Sequence, residues 1–363
     1  MSQRIIRRHI GQLIMAGFDG TTVPRELKAM AAEFDLGGVI LFARNVESPE
    51  QVNELAREAW DLHQDLPLWV SLDQEGGRVA RLRDGFTRWP PMITLGRSGD
   101  EDLARRFARA LAAELAAVGI TLDYAPVLDI LTNPDNPAIG DRALAGEAEM
   151  VARMGAAIIE TLHTSGIAAC GKHFPGHGDT SVDSHHELPV VEHDLRRLRA
   201  LELVPFTRAI AAGVAAIMTA HVLVPAIDER SPATMSRAIV HDLLRQELGF
   251  DGVILTDDLD MGALASRYEI AEIAVGAIAA GCDGLLLCGP DHDRQHRALE
   301  ALIRATERGA LSLASVERSM TRHRRMKERF LSVDSRARAR ADLSSVLASD
   351  PHRAVAEEMA RFL

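Results

Sequence analysis

The chain has 363 residues, 47% hydrophobic and 26% charged, with 41 basic against 52 acidic side chains and a formal net charge of −11. That balance is ordinary for a globular protein, and its sign argues against nucleic acid or an anionic membrane surface as the main partner. No apolar run approaches the length of a membrane span, and aromatic residues, at 4%, are too sparse for large stacking platforms.

The N-terminal stretch MSQRIIRRHIGQLIMAGF sets basic residues before apolar ones. His9, Gly11 and Gln12 interrupt the apolar part and no small-residue cleavage site comes after it, so it reads as an amphipathic helix rather than a signal peptide. Strand and helix signals then alternate. Strands are predicted at Gly38–Phe42, Leu68–Leu72, Thr121–Pro126, Ile167–Cys170, Ala215–Met218, Val253–Thr256 and Gly284–Leu287. Such short aliphatic runs suit parallel strands covered on both faces. Helical patterns fall at 24–34, 49–63, 101–118, 147–165, 195–212, 236–248, 270–280 and 293–308. Asp194 and Ser236 have the character of N-caps, and Gly119, Gly166, Gly213 and Gly249 that of helix stops.

Seven strands alternating with helices predict an α/β protein, a single (β/α)8 TIM-like barrel with room for irregular strands, over residues 1–335. A doubly wound sheet is the alternative, but no G-x-G-x-x-G comes after the first strand. Residues 336–363 change character: RARARADLSS reads as a polar linker and HRAVAEEMARFL as a short amphipathic helix, together a helical extension packed on the barrel. Three cysteines, Cys170, Cys282 and Cys288, lie in apolar contexts; an odd, sparse set predicts reduced thiols and a cytoplasmic location.

The informative pattern lies just past the end of each strand. Leu72 leads into DQEGGRVARL, with Asp73, Glu75, Arg78 and Arg81. Pro126 leads into VLDI, with Asp129, and then a loop with Asp141 and Arg142. Met218 leads into TAHV, with His221, and Leu255 into TDDLDMGA, with Asp257, Asp258 and Asp260. The richest stretch is GKHFPGHGDTSVDSHHELP. It and the four residues after it hold five of the chain's 14 histidines, His173, His177, His185, His186 and His193, interleaved with Lys172, Asp179, Asp183 and Glu187. Its Gly and Pro residues predict a shaped loop, and histidine titrates near neutrality. A single strand-end acid is often a helix cap, but in a barrel five such ends converge on one mouth.

Carboxylates, His, Lys and Arg at one mouth suit sugars: carboxylates accept from hydroxyls, cations donate, and a carboxylate can attack an anomeric carbon. Metal-dependent hydrolysis is the competing reading, since barrel metallohydrolases also gather His and Asp. Against it, the first strand leads into no His-x-His, and Lys172 and Arg142 would set positive charge beside a cation.

At these residues the sequence resembles the β-N-acetylhexosaminidases of glycoside hydrolase family 3, which trim bacterial cell-wall glycans during recycling. KHFPGHGDTSVDSHHELP is similar to that group's acid/base loop and LLRQELGFDGVILTDDLDMGA to its nucleophile signature; DQEGGRVARL and GDR complete the set. The resemblance runs to about Arg325. It implies a retaining exo-β-N-acetylglucosaminidase with Asp257 as nucleophile, His185 as general acid/base and Asp183 as its partner. It further implies that Asp73, Arg81, Arg142, Lys172 and His173 hold the N-acetylglucosamine ring. No metal or cofactor is implied, and the expected partner is a small carbohydrate or muropeptide, acted on by a monomer or weak homo-oligomer. An N-acetylglucosaminide phosphorylase on the same scaffold stays open, because a His acid/base does not repel phosphate. The sequence departs from the family at Asp260, often Ser, and at the shortened Gly262-Ala263; His186 adds a second candidate base.

Overall fold

Eight short parallel strands close on themselves in chain order: β1 (Ile14–Ala16), β2 (Gly38–Leu41), β3 (Trp69–Leu72), β4 (Leu122–Asp123), β5 (Ala168–Phe174), β6 (Ala216–Thr219), β7 (Val253–Asp258) and β8 (Gly284–Leu287). The last pairs with the first, Ile14 opposite Leu285, so the sheet has no free edge. This computed structural model describes residues 3–62, 67–331 and 342–363. The α/β barrel expected from the alternation is the fold observed.

The strands read as unbroken apolar runs because both faces are buried. Ile40 points into the barrel, where it meets Met15, Trp69, Tyr124 and Leu286. Its neighbours Val39 and Leu41 point outward into the layer formed with the helices. Trp69 and Tyr124 are the bulkiest fillers of the interior, and the Tyr124 hydroxyl lies 2.9 Å from Ser71 Oγ. Helix Leu313–Phe330, absent from the predicted set, sends Met326 and Phe330 into the same interior cluster.

Three expectations change. The N-terminal segment is helical only over Gln3–His9; after the tight turn Ile10–Leu13 it supplies β1, the strand missing from the predicted seven. The helix expected at 195–212 is two, Leu195–Ala200 and Val204–Ala211, because Pro205 has no N–H to continue a helix and instead sits in the first turn of a new one. Ser236 does not cap: its hydroxyl donates to Asp228 Oδ2 at 2.8 Å, and the π-helix Ala238–Glu247 starts without it. Asp194 does cap, accepting from the Arg197 N–H at 2.8 Å. Gly119, Gly166, Gly213 and Gly249 all adopt positive φ at helix ends.

The expected boundary between 335 and 336 lies outside the described residues. Beyond it, helix Asp350–Ala360 lies along helix Glu101–Ala117. Arg106 grips Glu358 at 2.7 and 2.9 Å, and the buried Glu114 carboxylate accepts from Ala348 N–H and His352 Nδ1, each at 2.9 Å, and from Thr87.

Candidate active site

At the C-terminal ends of the strands lies a cavity of about 250 Å³, the scale of one pyranose ring rather than an oligosaccharide. Asp73, Arg81, Arg142, Lys172, His173, Asp183, His185 and Asp257 all line it, although 184 positions separate the first from the last. The barrel brings together all eight of these residues, which the resemblance assigned to catalysis or sugar binding, but not the second candidate base, His186.

Lys172 is the hub. Strand β5 runs on past Cys170 to Phe174, further than expected, so Lys172 and His173 sit on the strand itself, not in the loop. The Lys172 ammonium, 2% exposed, donates to Asp73 Oδ1 at 2.6 Å and lies 2.7 Å from Glu75 Oε1. Arg81 holds the other Asp73 oxygen at 3.0 Å, and its guanidinium stacks on Phe42. Burial alone would raise the Asp73 carboxyl, but Lys172 and Arg81 outweigh it and hold the group well below its ordinary range. Glu75 is likewise buried, yet Arg142 and Lys172 bring it down to about 2. Asp123, behind them, accepts from the Gln74 N–H at 2.9 Å and leaves Oδ2 unpaired; burial pushes its carboxyl well up.

Asp129 organises the adjoining wall. Its Oδ2 meets His173 Nδ1 at 2.7 Å and its Oδ1 takes the His177 N–H at 2.7 Å, so one carboxylate braces both ends of the turn HFPGH. Burial would raise it, but His173 and His177 lower it. His177, pushed down to about 4 by burial, bridges Thr180 and Ser184 at 2.6 and 3.1 Å and so pins the adjoining loop. Gly178 fits there because a Cβ would stand 1.8 Å from the Ile130 carbonyl oxygen.

The loop carries the Asp183–His185 pair to the rim. Asp183 Oδ1 accepts from both the backbone N–H of His185, at 2.9 Å, and its Nδ1, at 2.7 Å. Those contacts hold the Asp183 carboxyl low against its partial burial. The His185 ring stays 63% exposed, with Nδ1 bound to Asp183 and Nε2 turned from that bond. His186 does not line the cavity.

Asp257, which lines the same cavity, is the penultimate residue of β7, its Oδ1 accepting from the Asp258 N–H at 2.8 Å. Asp258 also lines the cavity while bracing the turn: it accepts from the N–H groups of Asp260 and Cys288 at 3.1 and 3.0 Å, and burial raises it to about 6. Asp260 takes the Gly289 N–H at 3.1 Å and pairs with Arg294, joining the turns after β7 and β8. His221 is fully buried, which lowers its pKa, and it donates from Nε2 to the Asp258 carbonyl at 2.9 Å. Sequence reasoning named Glu75 and Asp129 as strand-end acids without seeing that they brace the cavity, because their partners lie 44 or more positions away.

Among the described residues no group of three or more His, Cys, Asp or Glu is arranged to hold a metal ion, and no helix is long and apolar enough to cross a membrane. The three cysteines are free and buried.

Residues 5–326 match the glycosyl hydrolase family 3 N-terminal domain. A beta-hexosaminidase of Nitrosomonas eutropha is 42% identical over 295 residues, covering 80% of this chain and 84% of that protein. One from Pseudomonas aeruginosa is 42% identical over 292 residues, covering 80% and 86%. Among solved structures, a family 3 β-N-acetylglucosaminidase from a Paenibacillus species superposes with a TM-score of 0.93 at 43% identity, covering 98% of this chain and 68% of that one. NagZ of Neisseria gonorrhoeae, in complex with N-trifluoroacetyl-D-glucosamine, superposes with a TM-score of 0.79 at 32% identity over 98% of each chain.

Proposed function

The chain belongs to glycosyl hydrolase family 3 and is a glycoside hydrolase of the β-hexosaminidase type, and on that premise we propose that it removes terminal, non-reducing N-acetyl-β-D-glucosamine with retention of configuration. The observation that carries this reading is the shared cavity of Asp257 and the Asp183–His185 pair. Asp257 attacks C1 while His185 Nε2 protonates the departing glycosidic oxygen, leaving an aspartyl glycosyl ester. His185 then takes a proton from water, which attacks C1 and frees Asp257. Asp183 fixes the tautomer and supports the imidazolium, the part a carboxylate plays beside histidine in hydrolytic triads.

The charged end of the cavity suits the hydroxyls of a sugar. Asp73 is held ionised and accepts; Arg81, Arg142, Lys172 and His173 donate. The natural substrate we propose is a cell-wall muropeptide or related glycoside, met in the cytoplasm by a monomer or weak homo-oligomer; the three free, buried cysteines support a reducing compartment.

The test is a panel of aryl β-glycosides differing at C2, run on wild type and Asp257→Ala with and without phosphate, the first-formed anomer read by NMR. Hydrolysis of the N-acetyl sugar giving the β-anomer first, lost in the variant, is the expected result. A preference for glucoside, an α-anomer first, or a sugar phosphate as product would each overturn the corresponding part.

A further inference from the structure

The His185 ring and its partner Asp183 sit two residues apart on one loop, so their mutual bond cannot fix where the pair stands relative to Asp257. That position is set by whatever holds the loop's backbone. One anchor is His177, through Ser184 Oγ at 3.1 Å. Further back, Asn133 and Asn136 hold the carbonyls of Thr180 and His177, and next to the pair itself a further anchor comes from the turn leaving the nucleophile strand. The Gly262 N–H donates to the His185 carbonyl and the Ala263 N–H to the Ser184 carbonyl, each at 3.1 Å. Gly262 stands five positions after Asp257, so one short run of chain carries one reacting group and holds the backbone of the other.

The fit at Gly262 leaves no room for a side chain. A Cβ there would lie 2.6 Å from the His185 carbonyl oxygen and 2.9 Å from that of His186. Both are main-chain atoms, which cannot rotate aside. Gly262 opens the short helix Gly262–Ala265 and is not among the residues with positive φ, so an alanine suits its backbone. The glycine is required by the docked loop and by nothing in its own conformation.

We propose that Gly262 is a positioning residue for the acid/base step: its lack of a side chain lets the loop bearing His185 dock onto the turn after Asp257 and fixes the spacing of the two groups. The inference rests on the reading of His185 as the proton donor. Displacing a reacting group by about 1 Å can cost about 100-fold in rate, and here the loss should fall only where proton donation matters.

The experiment compares kcat/KM, which reports cleavage of the glycosidic bond, for 4-nitrophenyl and methyl N-acetyl-β-glucosaminides. Wild type, His185→Ala, Gly262→Ala and Ala263→Pro are measured, with thermal unfolding alongside. Ala263→Pro deletes the N–H that binds Ser184 without adding bulk at Gly262, at a first-turn position that tolerates proline, and it decides the matter should Gly262→Ala not fold. Expected is a fall within about 3-fold on the nitrophenyl glycoside and of about 100-fold on the methyl glycoside for the docking variants, in parallel with His185→Ala. A uniform fall, or none, in the docking variants while His185→Ala discriminates between the two substrates would overturn the role of Gly262 alone. Equal losses on both substrates in His185→Ala would overturn the acid/base assignment, and this inference with it.

Discussion

Arg142 grips Glu75 through two parallel hydrogen bonds, Nε to Oε2 and Nη2 to Oε1, each 2.8 Å, with the Glu75 side chain 1% exposed. Lys172 shares that carboxylate at 2.7 Å. Removing one member of a buried, bidentate ion pair leaves a charge with neither partner nor water, at a cost of about 3–5 kcal/mol. Glu75→Gln should lose stability of that order in urea unfolding. Its KM should rise about 10-fold, or about 1.4 kcal/mol of binding, with a smaller change in kcat. An unchanged unfolding midpoint would show that the pair is not held as described.

Asp257→Asn replaces the proposed nucleophile with a group of the same shape that cannot form the ester. Turnover should fall at least about 1,000-fold on every N-acetyl-β-glucosaminide, whatever its leaving group, since loss of a nucleophile is not offset by easier departure. Unfolding should be nearly unchanged, because the Asp257 side chain makes one local bond, to its neighbour's N–H. Retention of a tenth of the activity would move the nucleophile elsewhere.

Lys327 is fully buried beneath the barrel, its ammonium 2.8 Å from Gln12 Oε1, and burial brings it down to about 7 against the opposing pull of Asp35. Its unfolded-state value, 10.5, is the higher, so between pH 7 and about 10 the unfolded chain holds the extra proton and stability rises with pH, by at most about 1.4 kcal/mol per unit. Comparing wild type with Lys327→Met isolates this group from others that titrate. Any stability advantage of the methionine variant should shrink as pH rises from 7 to 9, and a difference independent of pH would refute the assignment.

The C-terminal helix is held by two carboxylates of unequal worth. Glu114 is 3% exposed and gathers donors from Thr87, Ala348 and His352. Glu114→Ala strands those donors and should cost about 3 kcal/mol. Glu358, one-third exposed, meets Arg106 at the surface, where an ion pair contributes about 1 kcal/mol or less. Parallel unfolding of Glu114→Ala and Glu358→Ala measures the contrast; equal losses would refute it.

Most of this architecture is legible in the sequence because buried parallel strands announce themselves as aliphatic runs. β1 escapes because it is three residues long and directly continues a short helix and a tight turn, so the whole stretch reads as one amphipathic helix. The split at Leu201–Leu203 had its signal in Pro205, while Ser236 has a cap's chemistry but spends its hydroxyl on Asp228. Within the site, the residues that line the cavity were recoverable from strand ends. The bracing roles of Glu75, Asp123 and Asp129 were not, since they depend on distances between strands that no local pattern records. The glycines of PGHGD were legible as a constraint, though only the approach of Gly178 to Ile130 shows what the constraint is.

Trp69 and Tyr124 plug the tube below the mouth, and Phe330 stops its far end. The chamber is therefore a cul-de-sac: on the proposed function, a sugar unit that enters head-first would have to back out along its path of entry before another could take its place. If the proposed reaction takes place there, freed monosaccharide and incoming glycan contend for one doorway, and the hydrolysed sugar should inhibit competitively against the substrate.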